Sequence, residues 1–206
     1  MSGLFITFEG IEGCGKSTQV AQLQQRLEAA GRTAVVTREP GGTAVSEAIR
    51  AIVLNPEHRE LRPITELLLY AAARAQHVDE FIHPALESGA IVLCDRFADS
   101  TTAYQGAGRS LNSDLIWRMH QVATRGTWPD LTVLLDLPAE AGLERARQTG
   151  AFDRIEAEPL AFHRAVREEF LRIASQDAKR VQVVDATQPV EAVAAAVWRL
   201  VEARLP

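Results

Sequence analysis

A glycine-rich segment near the start of this 206-residue chain has the spacing GxxxxGK(S/T). Its sequence is Gly10-Ile11-Glu12-Gly13-Cys14-Gly15-Lys16-Ser17. An apolar run of strand length precedes it, and apolar residues recur at helical spacing after it. A strand–loop–helix unit of this kind turns backbone N–H groups toward phosphate oxygens, and the helix N-terminus adds positive potential. The segment therefore predicts a phosphate-binding loop rather than an accidental glycine-rich turn.

Two side chains of this loop suit a bound nucleotide. Lys16 is placed to reach the β- and γ-phosphates, and the hydroxyl of Ser17 is placed to bind Mg²⁺. Phosphate binding by this loop is therefore the first functional prediction.

Length and composition narrow the possible classes of protein. We expect one domain spanning residues 1–206. The net charge of −5 argues against a general nucleic-acid surface. No apolar run approaches the roughly 20 residues that a membrane span needs, and the first residues do not resemble a signal peptide. We expect a cytoplasmic protein without nucleic-acid or membrane partners, in which Cys14 and Cys94 are reduced packing residues.

Strand-like and helix-like segments alternate along the chain, which predicts an α/β fold with a five-stranded parallel sheet flanked by helices. The predicted strands cover residues 4–8, 34–37, 91–94, 132–135 and 181–184. Polar residues follow these runs, namely Glu9, Arg38, Asp95, Asp136 and Asp185. Because carboxyl ends of parallel strands meet at one edge of a sheet, we expect these five residues to form the rim of an active site.

Helix signals stand between the predicted strands. Helices are predicted after the phosphate loop, before Asn55-Pro56, and after Pro63, Asn112, Pro138 and Pro189. A proline inside a helical pattern removes a backbone donor, so His83-Pro84 is expected to kink or restart a helix.

Two motifs with arginine directly follow predicted strands. Arg38 comes before Glu39-Pro40 and two glycines, where it suits the phosphate of a second substrate; the alternative is a solvated surface turn. The Glu39-Pro40 bond can be cis or trans. Asp95 can hold Mg²⁺ through water, and the guanidinium of Arg96 can bind a phosphate through two N–H groups. The alternative for this pair is an internal ion pair.

Two further segments suit a nucleobase and a sugar. Tyr70 and Arg74 are four residues apart, so on one helix face they can present a ring and a donor to one planar base. Core packing of Tyr70 is the alternative. Residues 99–106 are rich in hydroxyl and amide groups, which suits a base edge and a sugar but also a polar loop before the next helix. Arg74 and the two strand-end arginines supply the positive charge that two phosphate-bearing substrates require.

The segment from Arg145 to Glu156 is basic and contains glycine, and we expect it to form a lid outside the core. A lid arginine can stabilise the charge that develops during phosphoryl transfer. No arginine occurs between Gly10 and Lys16, so the catalytic arginine is expected to come from the lid. A solvated helix face is the alternative.

Taken in order, these motifs resemble bacterial thymidylate kinases over essentially the whole chain. The matching segments are Phe8 to Ser17, Thr37 to Gly42, Tyr70 to Arg74, Asp95 to Gly106 and Asp153 to Glu156. The resemblance implies a P-loop NTPase fold of the nucleoside monophosphate kinase type with a short lid. It also implies transfer of the γ-phosphoryl group of ATP to dTMP, giving dTDP, by a homodimer with Mg²⁺.

The resemblance assigns roles to particular residues. The donor-side residues, which we expect to bind ATP, are Gly10, Ile11, Glu12, Gly13, Cys14, Gly15, Lys16, Ser17, Thr18 and Arg145. The residues implied for dTMP are Glu12, Arg38, Tyr70, Arg74, Arg96, Ser100, Thr101, Tyr104 and Gln105. In these sets Glu12 approaches the deoxyribose 3′-hydroxyl, and Tyr104 crowds the 2′ position.

The catalytic set comprises Lys16, Asp95, Arg96, Arg147 and Arg154, with Arg147 the first candidate for the lid arginine and Arg154 the second. Ser17 and Asp95 are the implied metal residues. Two positions depart from the family pattern. Tyr70 stands at a site similar to a phenylalanine site, and Gln148-Thr149 replaces a frequent basic residue of the lid.

Two other functions remain open at this stage. Another nucleoside monophosphate kinase or a deoxynucleoside kinase can share the fold. A regulatory GTPase or nucleotide-dependent switch is the alternative from a different class. The chain has no Asn-Lys-x-Asp element for guanine, and an arginine-rich acceptor side has no use in a switch.

Overall fold

A computed structural model describes residues 3–148 and 153–205. Its five strands are β1 (Leu4–Glu9), β2 (Ala34–Arg38), β3 (Ile91–Asp95), β4 (Leu131–Asp136) and β5 (Val181–Asp185). They form one sheet in the order β2-β3-β1-β4-β5, and every pairing is parallel. The predicted five-stranded parallel sheet is confirmed, with β1 at its centre.

The helices lie on both faces of the sheet. They are α1 (Lys16–Ala29), α2 (Ala44–Val53), α3 (Pro63–His77), α4 (His83–Glu87), α5 (Ala98–Thr101), α6 (Ser113–Thr124), α7 (Ala139–Gln148), α8 (Leu160–Gln176) and α9 (Val190–Glu202). Two π-helical segments, Val78–Ile82 and Thr102–Gly108, follow α3 and α5 directly. None of the helices within residues 3–148 and 153–205 is long and apolar enough to cross a membrane.

The core consists of two layers, one on each face of the sheet. On one face, α1 and α9 cover the buried side chains of Ile6, Phe8 and Val133. On the other face, Phe5 and Val92 contact the first π-helical segment, while Leu134 belongs to a cluster with α8. Strands buried on both faces are continuous apolar runs, which is why the sequence pattern located them.

The predicted interruption at Pro84 is confirmed. The N–H of His83 donates to the carbonyl of Val78, five residues earlier, so the helix widens just before the proline. Since Pro84 has no N–H and its ring clashes with the preceding turn of a regular α-helix, this wider turn accommodates it.

Two helical regions were not predicted. Helix α8 buries Phe162, Val166, Phe170 and Ile173, whose spacings of three and four residues are typical of an amphipathic helix. Residues 98–108 are helical rather than a polar loop. Their hydroxyl groups bond to side chains of neighbouring elements, for example Ser100 to Glu9, and therefore do not compete for the helix backbone.

The carboxyl ends of three neighbouring strands lie at one level. Arg38 is paired in register with Asp95, and Asp95 with Phe8. The phosphate loop leaves β1 at this edge, beside the motifs that end β2 and β3.

Candidate active site

The phosphate loop is held against α7 by a close approach of two glycines. Gly13 has a φ of 69°, and a Cβ at this position would lie 2.1 Å from the carbonyl oxygen of Gly142. A Cβ at Gly142 would in turn lie 2.5 Å from the carbonyl oxygen of Glu12. Any larger residue at either position would push the loop and the helix apart.

Lys16 begins α1 and folds back over the loop. Its Nζ atom donates to the carbonyl oxygens of Gly10, at 3.0 Å, and Ile11, at 2.8 Å. These contacts fix the ammonium group at the mouth of the loop, where phosphate oxygens would gather.

A cavity of about 310 Å³ opens beside the loop. The predicted residues that line it are Glu12, Gly13, Lys16, Ser17, Arg38, Tyr70, Arg74, Asp95, Arg96, Ser100, Thr101, Tyr104 and Gln105. We call this the acceptor cavity. Every residue that the resemblance assigns to dTMP lines it, and its volume lies in the range of small-molecule sites.

A second cavity of about 530 Å³ lies on the other side of the loop, and we call it the donor cavity. It is lined by Gly13, Cys14, Gly15, Thr18 and Arg145, which belong to the predicted ATP set. Residues 186–190, which follow β5, complete its wall. They were not predicted as site residues, although they follow a strand at the edge that carries the loop. The loop therefore stands between two cavities.

Arg96 occupies a constrained backbone position at the end of β3. Its φ is 71°, which is unusual for a residue with a side chain. The N–H of Arg96 donates to the carbonyl of Phe8 at 2.9 Å. Its guanidinium donates to the carbonyl of Gly10, to Ser100 and to Glu12. These bonds hold the guanidinium between the loop and the acceptor cavity.

Glu12 is a buried carboxylate that accepts from three side chains. Oε1 accepts from Tyr104 at 2.5 Å and from Arg96 at 3.1 Å, and Oε2 accepts from Nδ1 of His163 at 3.1 Å. Burial by itself raises the pKa of Glu12. The bond from His163 and the charges of Arg96 and Lys16 outweigh it and hold the pKa at about 2. Glu12 is therefore ionised at neutral pH.

Ser17 and Asp95 place two side-chain oxygens close together beside the loop. The Ser17 hydroxyl donates to Oδ2 of Asp95 at 2.8 Å. No cluster of three or more His, Cys, Asp or Glu side chains arranged for a metal is found in residues 3–148 and 153–205. Mg²⁺ at nucleotide sites uses one or two protein oxygens together with phosphates and water, so this pair fits the ion.

Arg74 is fixed in the floor of the acceptor cavity. Its Nε atom donates to Glu39 at 2.7 Å, and its terminal nitrogens donate to the Thr101 hydroxyl and the Phe97 carbonyl. Tyr70, one turn earlier on α3, also lines the cavity. A ring and a fixed donor thus face the same space.

The comparisons with known proteins agree with this geometry. A family model described as thymidylate kinase matches residues 8–197. The chain belongs to the thymidylate kinase family. A thymidylate kinase from Geobacter sulfurreducens is 53% identical over 210 residues, covering 99% of each chain. One from Thermomicrobium roseum is 56% identical over 198 residues, covering 96% of this chain and 93% of the relative.

A solved structure extends this result to the fold. The crystal structure of thymidylate kinase from Ehrlichia chaffeensis matches with a TM-score of 0.80 and 31% identity, covering 98% of this chain and 99% of that chain. Both the family suggested by the motifs and its P-loop kinase fold are confirmed.

The predicted five-residue rim is only partly present in this thymidylate kinase family member. Arg38 and Asp95 line the acceptor cavity, whereas Glu9, Asp136 and Asp185 line neither cavity. Asp136 is bound by the guanidinium of Arg167, and Asp185 accepts bonds from the turn before α9. The expectation was wrong for these three carboxylates because groups in their own turn or in a neighbouring helix already donate hydrogen bonds to them.

Glu9 is fully buried and holds the turn after β3. It accepts from the N–H groups of Phe97, at 2.7 Å, and Ser100, at 3.3 Å, and from the Ser100 hydroxyl. Burial, together with the charge of Asp99, raises its pKa from 4.5 to about 7.

This raised pKa predicts a pH-dependent stability. The pKa of Glu9 is higher in the folded protein, at about 7, than its ordinary value of 4.5. Protonated Glu9 therefore stabilises the fold in full below pH 4.5, and this stabilisation is lost as the pH rises through 7. Between pH 6 and pH 8 the wild-type free energy of unfolding should fall about 1 kcal/mol more than that of Glu9→Gln, which cannot ionise. Urea unfolding at several pH values measures this, and parallel pH curves would contradict it.

The predicted lid is not wholly outside the core. Arg154 and Ile155 are buried, and Ile155 belongs to the same apolar cluster as α8. Arg154 donates to Glu66 at 2.5 Å and to the carbonyl of Val53 at 2.9 Å. The expectation of a lid without core residues was wrong at these two positions. Arg154 pairs with the buried Glu66 carboxylate, and Ile155 packs into an apolar cluster. Lid residues 149–152 lie outside the described part of the chain.

The two candidate lid arginines differ in environment. Arg147 is exposed on α7 and lies 3.9 Å from Glu144, and it lines neither cavity. Arg154 is buried against Glu66 and also lines neither cavity. Arg145, two residues before Arg147, lines the donor cavity and donates to the Ala186 carbonyl.

Several site residues were missed by the sequence analysis. Arg50 lines the acceptor cavity and donates to the Pro40 carbonyl at 2.7 Å. Glu39 orients Arg74, and its place between Arg38 and Pro40 was a usable signal. His163 contacts Glu12 from α8, and no local sequence signal points to it.

Proposed function

We propose that this chain transfers the γ-phosphoryl group of ATP to dTMP, forming ADP and dTDP, with Mg²⁺ as the metal ion. The observation that carries the proposal is the position of the phosphate loop between two cavities, with arginines on the acceptor side. A protein that only hydrolyses one nucleotide does not need a second cavity of this kind.

On the donor side, the loop amides and Thr18 bind the ATP phosphates, and Lys16 reaches the β- and γ-phosphates. Ser17 and Asp95 would hold Mg²⁺, which supplies neutralising charge to the phosphate oxygens when bound. Arg145 lines the donor cavity and would contact ATP there.

On the acceptor side, Arg38 and Arg96 bind the dTMP phosphate. Arg96 is already fixed by the Gly10 carbonyl and by Glu12, so little side-chain entropy is lost on binding. Arg38 is half-exposed and paired with Glu47, a bond that it can exchange for a phosphate.

The nucleoside of dTMP would occupy the rest of the acceptor cavity. Tyr70 stacks on thymine, while Arg74, Thr101 and Gln105 contact its polar edge. The Thr101 hydroxyl accepts from Arg74, and the Gln105 amide donates to Glu66, so both groups are oriented. The Ser100 hydroxyl accepts a hydrogen bond from Arg96, the arginine that binds the dTMP phosphate in this proposal.

The sugar lies against Glu12 and Tyr104 in this proposal. Glu12 accepts the deoxyribose 3′-hydroxyl, and the Tyr104 ring crowds the 2′ position. The Tyr104 hydroxyl is 2.5 Å from Glu12, so the two groups border one small space. A ribonucleotide carries a 2′-hydroxyl for which that space has no room.

Arg147 is our first candidate for the catalytic arginine, and Arg154 the second. Arg147 is exposed and its ion pair with Glu144 is long, at 3.9 Å, so a movement of α7 costs little at this residue. Moving Arg154 into the site would break two buried bonds.

We also propose a homodimer in the cytoplasm. Exposed apolar side chains lie on three helices that pack side by side, namely Val45 and Ile52 on α2, Ile64 and Leu68 on α3, and Trp117 and Val122 on α6. A second copy would cover them. Both cysteines are free thiols, as expected in a reducing compartment. Sedimentation velocity should give twice the chain mass of 22.6 kDa, whereas a monomer would contradict the dimer.

An ADP-release assay tests the proposed activity. Purified protein with ATP and Mg²⁺ is offered dTMP, dUMP, dCMP, dGMP and thymidine separately. We expect saturable turnover with dTMP well above the other acceptors. A preference for another monophosphate would assign a different kinase of this fold, and slow ATP hydrolysis without any acceptor turnover would favour a nucleotide-dependent switch.

A further inference from the structure

His163 lies on α8 and contacts Glu12, which is 151 residues earlier in the sequence. Its ring is fully buried, and Nδ1 lies 3.1 Å from Oε2 of Glu12. The ring does not line the acceptor cavity. It therefore touches neither proposed substrate and can act only through Glu12.

The chemistry of the pair fixes which nitrogen carries the proton. An ionised carboxylate can only accept hydrogen bonds, so Nδ1 of His163 must be the donor. Nε2 is buried and has no hydrogen-bond partner among the described residues. A bare acceptor at Nε2 costs less than a buried N–H without an acceptor, so the proton belongs on Nδ1.

The donors around Glu12 arrive from three different elements. Arg96 comes from the end of β3, Tyr104 from the second π-helical segment and His163 from α8. Arg96 and Tyr104 both bind Oε1, while within residues 3–148 and 153–205 Oε2 accepts a hydrogen bond only from His163. Without His163, only the two bonds to Oε1 oppose rotation of the carboxylate about its last torsion, so the direction of Oε2 is less firmly held.

We propose that His163 is a positioning residue that sets the preference of this enzyme for acceptors with a 3′-hydroxyl. It holds Oε2 so that the carboxylate of Glu12 presents a free lone pair to the acceptor cavity. The inference rests on the proposed function, since it concerns the sugar of the proposed acceptor. It adds a residue outside the cavity to those that select the substrate.

The experiment compares dTMP with 2′,3′-dideoxythymidine monophosphate, which has no 3′-hydroxyl. The measured quantity is the ratio of their kcat/KM values in each protein. In His163→Phe, which keeps the ring volume but has no donor, this ratio should fall about 10-fold or more from the wild-type value. In His163→Asn the side-chain amide nitrogen stands near the position of Nδ1, so the ratio should stay within about 3-fold of wild type.

His120→Phe is the matched control. His120 is also a buried histidine with one bonded nitrogen, but its partner is the Thr102 hydroxyl at 2.9 Å rather than a cavity residue. A general loss of packing would lower activity with both acceptors in either Phe variant. Only the loss of the Glu12 contact lowers the ratio, so the ratio of His120→Phe should equal that of wild type.

The outcomes separate this inference from the proposed function. Wild-type protein without dTMP turnover overturns both. Turnover of dTMP with an unchanged ratio in His163→Phe, or an equally low ratio in His163→Asn, overturns the role of His163 alone.

A measurement on the wild-type protein does not depend on folded variants. Nitrogen-15 NMR of labelled histidine should show a proton on Nδ1 of His163. An Nε2–H tautomer could not donate to Glu12 and would overturn the proposal.

Discussion

Replacing Arg147 with alanine is expected to lower kcat by about 10³-fold, while the KM for ATP changes much less. The reason is that an arginine acting on the transferring phosphoryl group stabilises charge in the transition state rather than in the bound substrate. Steady-state kinetics with dTMP and ATP measure both quantities. A change confined to KM would reduce Arg147 to a binding residue.

Arg172→Ala is the matched control for this variant. Both arginines are exposed on a helix, and each pairs with a glutamate three residues earlier, Arg147 with Glu144 and Arg172 with Glu169. Arg172 lines neither cavity, so its removal should leave kcat unchanged. Any effect of losing a surface arginine in general will appear in both variants.

Arg154→Ala separates the two candidate arginines. Arg154 is buried and bonded to Glu66 and the Val53 carbonyl, so its removal leaves a buried acceptor with fewer partners. Glu66 keeps its bonds from Arg109 and Gln105, so the expected loss of stability is about 1–3 kcal/mol. A variant of Arg154 with normal stability and a 10³-fold lower kcat would make it the catalytic arginine in place of Arg147.

Replacing Arg96 with alanine is expected to lower kcat/KM for dTMP by about 10³-fold, or about 4 kcal/mol. Two losses add up. The acceptor phosphate loses a fixed guanidinium, and Glu12 loses one of its three donors. Arg96→Lys keeps the charge without the planar fork and should fall between alanine and wild type.

Isothermal titration gives an independent measurement on the same variant. Affinity for dTMP should fall steeply, while affinity for ATP should change little because Arg96 lines the acceptor cavity and not the donor cavity. Unaltered dTMP kinetics in Arg96→Ala would remove this residue from the acceptor site.

Much of the fold could be predicted because local sequence determines it. The apolar runs located all five strands to within two residues, and the glycine spacing located the loop. The direction of a side chain at a strand end was harder. Glu9 lies where the chain leaves the sheet, and only the packed structure turns it toward the backbone of Phe97 rather than toward a cavity.

The candidate site was predictable where motifs follow strands and unpredictable where contacts cross the whole chain. Arg38, Asp95 and Arg96 were found because parallel strands bring their carboxyl ends together. Glu12 and His163 are 151 residues apart, and their contact depends on how α8 packs. Arg154 looked like a solvated lid residue because the carboxylate that binds it, Glu66, lies on α3.

The mutual contact of Gly13 and Gly142 has a mechanical consequence for the proposed reaction. It holds α7 against the loop near the start of the helix, so any rotation of α7 in the proposed reaction would centre on this contact. Arg147 lies five residues farther along, about 7.5 Å at the helical rise, so a rotation of about 20° displaces its backbone by about 3 Å. A side chain as long as arginine extends that displacement. Substituting Gly13 or Gly142 would therefore move the contact between α7 and the loop, and it would displace Arg147 although neither glycine contacts that residue.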